Sequence, residues 1–195
     1  MNNGRVKVKS LEEVFHIIQQ YPLLGKFMAY QLAIDINYSE NDEIYHHEII
    51  ALGISRRMNH IALHLVKYLG ILSSLPVSAS ENRRAFIDSF IMIVSASNLL
   101  GISLAKELLS DGINSSDGNF IDEYIQLLAQ LAKACEATDH QEDYPIRATW
   151  NKNIRKFFSL LVREAHSRNI SILEESSRRL ASVERKHSLN EILRG

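Results

Sequence analysis

Cysteine is almost missing from this chain: Cys135 stands alone among 195 residues, which excludes an internal disulfide framework and a zinc site built from several cysteines, and fits a reducing compartment. Proline and glycine are scarce, three and eight residues, and they fall where helices would stop. An excess of either charge is also missing. The formal net charge is -1, so no global electrostatic case for nucleic-acid binding exists, although a local basic patch stays open. No apolar run reaches the roughly 18 residues that span a bilayer, because Asp88 and several serines interrupt the longest candidate. The opening MNNGRVKVKS is basic without the apolar stretch of a signal peptide. Gly-rich phosphate loops, a G-x-S-x-G elbow and a nucleophilic cysteine setting are all lacking. What remains is the composition of a soluble cytoplasmic protein, 46% apolar and 23% charged, long enough to bury a core.

What is present is helical periodicity. Apolar residues recur at helical spacing almost throughout, with no long alternating pattern, which predicts an all-α helical bundle. The expected helices cover 10–20, 26–36, 55–74, 82–100, 104–110, 120–137, 149–168 and 171–193. Ser10 with Glu13 reads as a capping box, Ser55 as an N-cap, Gly101 as a C-terminus or kink, and Ser103 as the cap of a short helix. DGINSSDGN at 111–119 is the clearest linker. The expected organisation is an N-terminal helical hairpin, 1–41, and a bundle, 42–195, with candidate halves 42–110 and 118–195. SASNLLGISLAKELL and REAHSRNISILEESSRRL share a pattern: a helix, Gly or Asn, Ile-Ser, and a second helix. Two tandem units of this kind could pack with pseudo-twofold symmetry, each covering the other's apolar face.

Three clusters carry candidate chemistry. His60, His64 and Lys67 fall at i, i+4 and i+7 on one helical face. The histidines suit either a metal ion or local hydrogen bonds beside the core, and Lys67 suits a phosphate. Asp88 is the lone ionisable group in an otherwise apolar helix, a costly placement unless it is paired, ligates a metal or faces a cavity. With Ser95 and Asn98 along its stripe it could line a polar cleft holding Mg²⁺ and phosphate; the alternative is a salt bridge to Arg83, Arg84 or Lys67. In CEATDHQEDYPIR (135–147), Glu136, Asp139 and His140 would share a face as hard ligands, or form a solvated acidic helix end. His46, His47 and Glu48 precede the first core helix, either capping the histidine site or forming a surface loop. The charged last helix, with Arg178, Arg179, Arg185 and Lys186 among glutamates, reads as exposed or partner-binding.

Over residues 42–187 the chain resembles the MazG-like all-α nucleoside triphosphate pyrophosphohydrolases, on RRMNHIALHLVKYLG, FIDSFIMIVSASNLLGISL, ACEATDHQEDYPIR and RRLASVERK. That resemblance implies a helical bundle, assembled as a dimer or from tandem halves, and Mg²⁺-dependent attack of water on a nucleotide with release of pyrophosphate. The family's E-x-x-E is not matched, its region holding Lys67, Tyr68 and Ile71. Of E-x-x-D only Asp88 is kept, after Ala85, Phe86 and Ile87. Two-metal phosphoryl chemistry needs several carboxylates, so the missing ligands would come from elsewhere. The implied set is Asp88, Glu48 and His64 for catalysis, Lys67, His60 and Asn98 for the substrate, and Asp88, Glu48, Glu136, Asp139 and His140 for Mg²⁺ or Mn²⁺. The segment YPLLGKFMAYQLAIDINYSE, within 11–40, resembles the helical proteins tied to thymine hypermodification in phage-type DNA, with Lys26 where they carry proline. Such a hairpin could contact DNA backbone through Gly25 and Lys26.

Two functions follow as expectations. The first is a MazG-like protein that binds or cleaves a nucleotide between helices 55–74 and 82–100, working as a homo-oligomer away from membranes. The second is a non-enzymatic helical module that binds a protein partner or nucleic acid, through the N-terminal hairpin or the charged last helix.

Overall fold

The computed structural model describes residues 53–104 and 118–186, and the five elements within them are all helices. They are α1 (Ile54–Ser74), α2 (Ser80–Leu100), α3 (Phe120–Asp139), α4 (Ile146–Ser167) and α5 (Ile172–Lys186). The expected helices at 10–20 and 26–36, Glu48, and the 111–117 part of the linker lie outside the described residues. The all-α bundle is confirmed, and the expected bounds agree to within a few residues at most ends.

Helices α1 to α4 form a four-helix bundle in which α1 packs on α2 and α3, and α4 packs on α2 and α3. Short links at 75–79 and 140–145 make α1–α2 and α3–α4 antiparallel hairpins. The start of α3 lies at the opposite end of the bundle from the end of α2, because Phe120 packs edge-on against Phe86, near the start of α2. The two hairpins pack with α1 against α3 and α2 against α4, the arrangement a twofold between hairpins produces.

The repeated sequence pattern has a geometric counterpart. Gly101 ends α2 in the left-handed region, φ 70°, and Asn169 does the same after α4, φ 53°. In each case the next amide, Ile102 or Ile170, donates back across the turn, to Ser97 O or Ala165 O, at 2.8 Å. These closures satisfy carbonyls that a helix end otherwise leaves orphaned. Chain direction then changes at Ile-Ser in both places, and Leu104 and Ile172 are again helical. At the other end, Ser55 does not cap α1. Gly53 is the N-cap residue and no side chain caps it, since Ser55 lies inside the first turn.

Helix α2 explains its own sequence. It is packed by α1, α4 and α5, so apolar residues on nearly every side are buried, including Phe86, Phe90, Ile93 and Ala96. Trp150, Tyr124, Phe157 and Phe158 fill the space between hairpins. Truncating one such aromatic to Ala should cost about 3–5 kcal/mol. Arg168 ties the far end together: it donates to Asn82 Oδ1 at 3.1 Å and to Glu164 at 2.6 Å, and lies over the rings of Phe86 and Phe120. Asn82 in turn donates to the last carbonyls of α1, Leu72 O and Leu75 O, so the start of α2 closes the end of α1.

Candidate functional site

The polar line on α1 and the lone aspartate of α2 converge through Tyr68. His60 and His64 stack with ring centroids 4.4 Å apart, one helical turn along the same face. His64 Nδ1 lies 3.2 Å from the Tyr68 hydroxyl and 3.4 Å from Lys67 Nζ, and the lysine also sits 4.7 Å above the Tyr68 ring. Burial pushes the Tyr68 hydroxyl above the ordinary phenol range. The negative charge of Asp88 adds to that shift, and Arg179 and Arg84 oppose it. The tyrosine therefore feels the carboxylate of the next helix.

Asp88 itself is held by arginines. Arg179 of α5 donates through Nε to Oδ1 at 2.7 Å and through Nη2 to Oδ2 at 3.2 Å, a two-pronged clasp. Arg84, one turn earlier on α2, approaches Oδ2 at 3.7 Å. The Asp88 side chain is only 12% exposed, whereas Arg84 is 62% exposed and reaches solvent. Next to this cluster Arg83 bonds Glu175 at 3.1 Å and holds its carboxyl below the usual range. Two cations, Arg84 and Arg179, thus hold one carboxylate, while Lys67 sits with His64 beside Tyr68.

The arginine clasp occupies both oxygens of Asp88, so a Mg²⁺ ion would have to displace Arg179 before it could bind. The residues described at Asp88 therefore do not fit a divalent cation as they stand. Glu48, expected as a co-ligand, lies outside the described residues. Asn98 lies more than two turns further along α2 than Asp88, close to the opposite end of the bundle from Arg168.

The acidic cluster stands apart, at the end of α3. Glu136, His140 and Glu142 place ligand atoms within 4.8 Å of one another, all exposed. Lys133 already supplies a cation there, 3.1 Å from Glu136 and 2.8 Å from Glu142, which lowers the Glu142 pKa and raises its own. Asp139 shares the helix end but not this grouping. Sequence reasoning missed Arg179 as the partner of Asp88 and Tyr68 as the link to His64. The only signal for Arg179 was its place in the charged last helix, which says nothing about where that helix docks.

Comparison with known proteins adds one finding. Residues 2–61 match a family model described as the helical domain of 5-hmdU DNA kinase. The match takes in the 11–40 segment that resembles thymine-hypermodification proteins and ends within α1. It covers under a third of the chain, and leaves Asp88 and its two arginines outside it. No curated protein matches the chain, and no solved structure matches it.

Proposed function

We propose that this is a non-enzymatic helical module that binds nucleic acid, with phosphates of the backbone met by Lys67 of α1 and Arg84 of α2. The observation that carries this reading is the bidentate clasp of Arg179 on Asp88. It makes the aspartate an anchor for cations, and leaves Lys67 and Arg84, both solvent-exposed, to meet a polyanion. The family match at the N-terminus supports a DNA-associated setting, since the matched domain belongs to a DNA kinase.

The test is binding of duplex and single-stranded DNA and of RNA across a salt series. Affinity falls as salt rises, because each phosphate neutralised releases a counterion. Lys67→Glu and Arg84→Glu weaken binding, and Lys67→Glu does so without lowering the melting temperature. Binding that is absent at low salt, or unmoved by both substitutions, overturns the proposal.

A second reading keeps one observation in its favour. Tyr68 brings His64 toward Asp88, two of the three residues expected to serve a MazG-like pyrophosphohydrolase. That reading needs carboxylates beyond the described cluster, Glu48 first. It predicts pyrophosphate release from nucleoside triphosphates in Mg²⁺ or Mn²⁺, abolished by Asp88→Ala.

A further inference from the structure

The outer face of the α1–α3 pair is apolar, exposed and free of charge at its centre. On α1, Leu63 is 68% and Val66 50% exposed, and on α3 Ile125 is 46% exposed. Gly70, Ala129 and Ala132 continue the same surface at helical spacing, and all three are exposed. The two stripes face a common outer groove. On α1, Tyr68 and His64 turn toward α2 and α5, so Val66 falls on the flank toward α3. On α3, Glu123 turns toward α4, where Arg163 binds it at 2.6 Å, so Ile125 falls on the flank toward α1.

Gly70 sharpens the point. A glycine inside a helix costs about 1 kcal/mol against alanine. A Cβ placed there would meet nothing within 4 Å, so nothing in the described chain requires its absence. The hydroxyls of Ser73 and Ser74 fold back onto Gly70 O, which smooths the surface further. A backbone left bare beside exposed Val66 and Ile125 suits close approach by another helix.

Charge sets the occupant. Acids bound the α3 side of the face, Asp122 near one end and Glu136, which also pairs with Lys133 at 3.1 Å, near the other; Lys67 and Arg56 bound the α1 side. The antiparallel register places them level. Tyr124 reaches Leu65 O, which puts Asp122 within about a turn of Lys67, and Met58 lines one cavity with Cys135 and Thr138, which puts Arg56 level with Glu136. A twofold axis parallel to the helices, between α1 and α3, lays each α1 over the partner's α3. Cations then meet acids of the other copy on both sides, around an apolar centre.

We infer that the chain forms a twofold dimer through the α1–α3 face, the partner being a second copy of itself. Surface ion pairs contribute little energy individually, so they set the register while Leu63, Val66 and Ile125 supply the affinity. Sedimentation equilibrium of the full chain at rising concentration should show passage from 22.2 kDa to twice that mass. Leu63→Glu with Val66→Glu should weaken dimerisation by about a hundredfold or more while leaving helicity and the melting temperature of the monomer unchanged. Val66→Cys, lying near the axis, should form a disulfide-linked dimer on oxidation, and Val77→Cys, exposed in the α1–α2 link, should not. A wild type that stays monomeric at every concentration overturns the inference, as does a dimer indifferent to the double substitution. A monomeric wild type whose melting temperature drops in that variant would show that the face is covered from within the chain, and overturns it too.

Discussion

Arg179 reaches back 91 residues to clasp Asp88, with Nε 2.7 Å from one carboxylate oxygen and Nη2 3.2 Å from the other. The pair fastens α5 to the middle of α2 at the one point where α2 carries a charge in an apolar setting. Removing either partner leaves the other poorly solvated, and a two-pronged, partly buried pair exceeds the usual worth of a surface bridge. Asp88→Ala and Arg179→Ala should each cost about 2 kcal/mol, with a coupling of about 1 kcal/mol in a double-mutant cycle followed by urea denaturation. Additive effects would mean that the clasp holds nothing in solution.

The far end of the bundle depends on Arg168. Its planar guanidinium lies over Phe86 and Phe120 while donating to Asn82 and Glu164. Lysine can replace the charge but not the plane or the paired donors. Arg168→Lys should therefore lose about 1–2 kcal/mol and Arg168→Ala about 2–3 kcal/mol, measured by thermal and chemical melts.

Much of this architecture was readable in advance, and the residues show why. Helix ends followed from Gly101, Pro76 and the polar 140–145 link, because these act through the local backbone. Apolar periodicity located α1, α3 and α4. Ser55 failed as a cap because α1 starts one residue before it, a difference too small for periodicity to fix. Asp88 was legible as an anomaly, but its partner was not, since docking of α5 is a tertiary choice. Among the alternatives left open for it, the bridge to Arg84 is present, in company with Arg179. The candidate site was thus half visible: His60, His64, Lys67 and Asp88 stood out, while Tyr68 carried no signal beyond standing where the E-x-x-E motif is not matched.

The two left-handed helix ends make a paired prediction. Gly101 tolerates φ 70° without strain, whereas Asn169 adopts φ 53° with a side chain attached. Gly101→Ala should destabilise by about 1 kcal/mol, and Asn169→Gly should be neutral or stabilise by up to about 1 kcal/mol. Equal losses at both positions in chemical melts would contradict the equivalence of the two turns.

Cys135 offers a pH-dependent check on the packing of α3. Burial pushes its thiol up to about 11, with the charge of Asp139 adding to the shift. The neutral thiol is the favoured folded form. Its stabilising share is thus complete below the unfolded thiol's pKa and is lost as pH rises through about 11. Alkylation of the native protein should therefore be slow at pH 8 and climb about tenfold per pH unit toward that value. Rapid modification at pH 7 would mean that the α3 end is open.

Fluorescence anisotropy of a labelled duplex DNA, titrated with wild type, Lys67→Glu, Arg84→Glu and Asp88→Asn over a salt series, tests the central claim most directly. If Lys67 and Arg84 hold phosphate, the wild type binds in a salt-sensitive way and both charge reversals weaken it several-fold. Asp88→Asn, which removes a negative charge from the groove, then binds as well as the wild type or better. Loss of binding in Asp88→Asn with its fold intact, or salt-insensitive binding by the wild type, would contradict it.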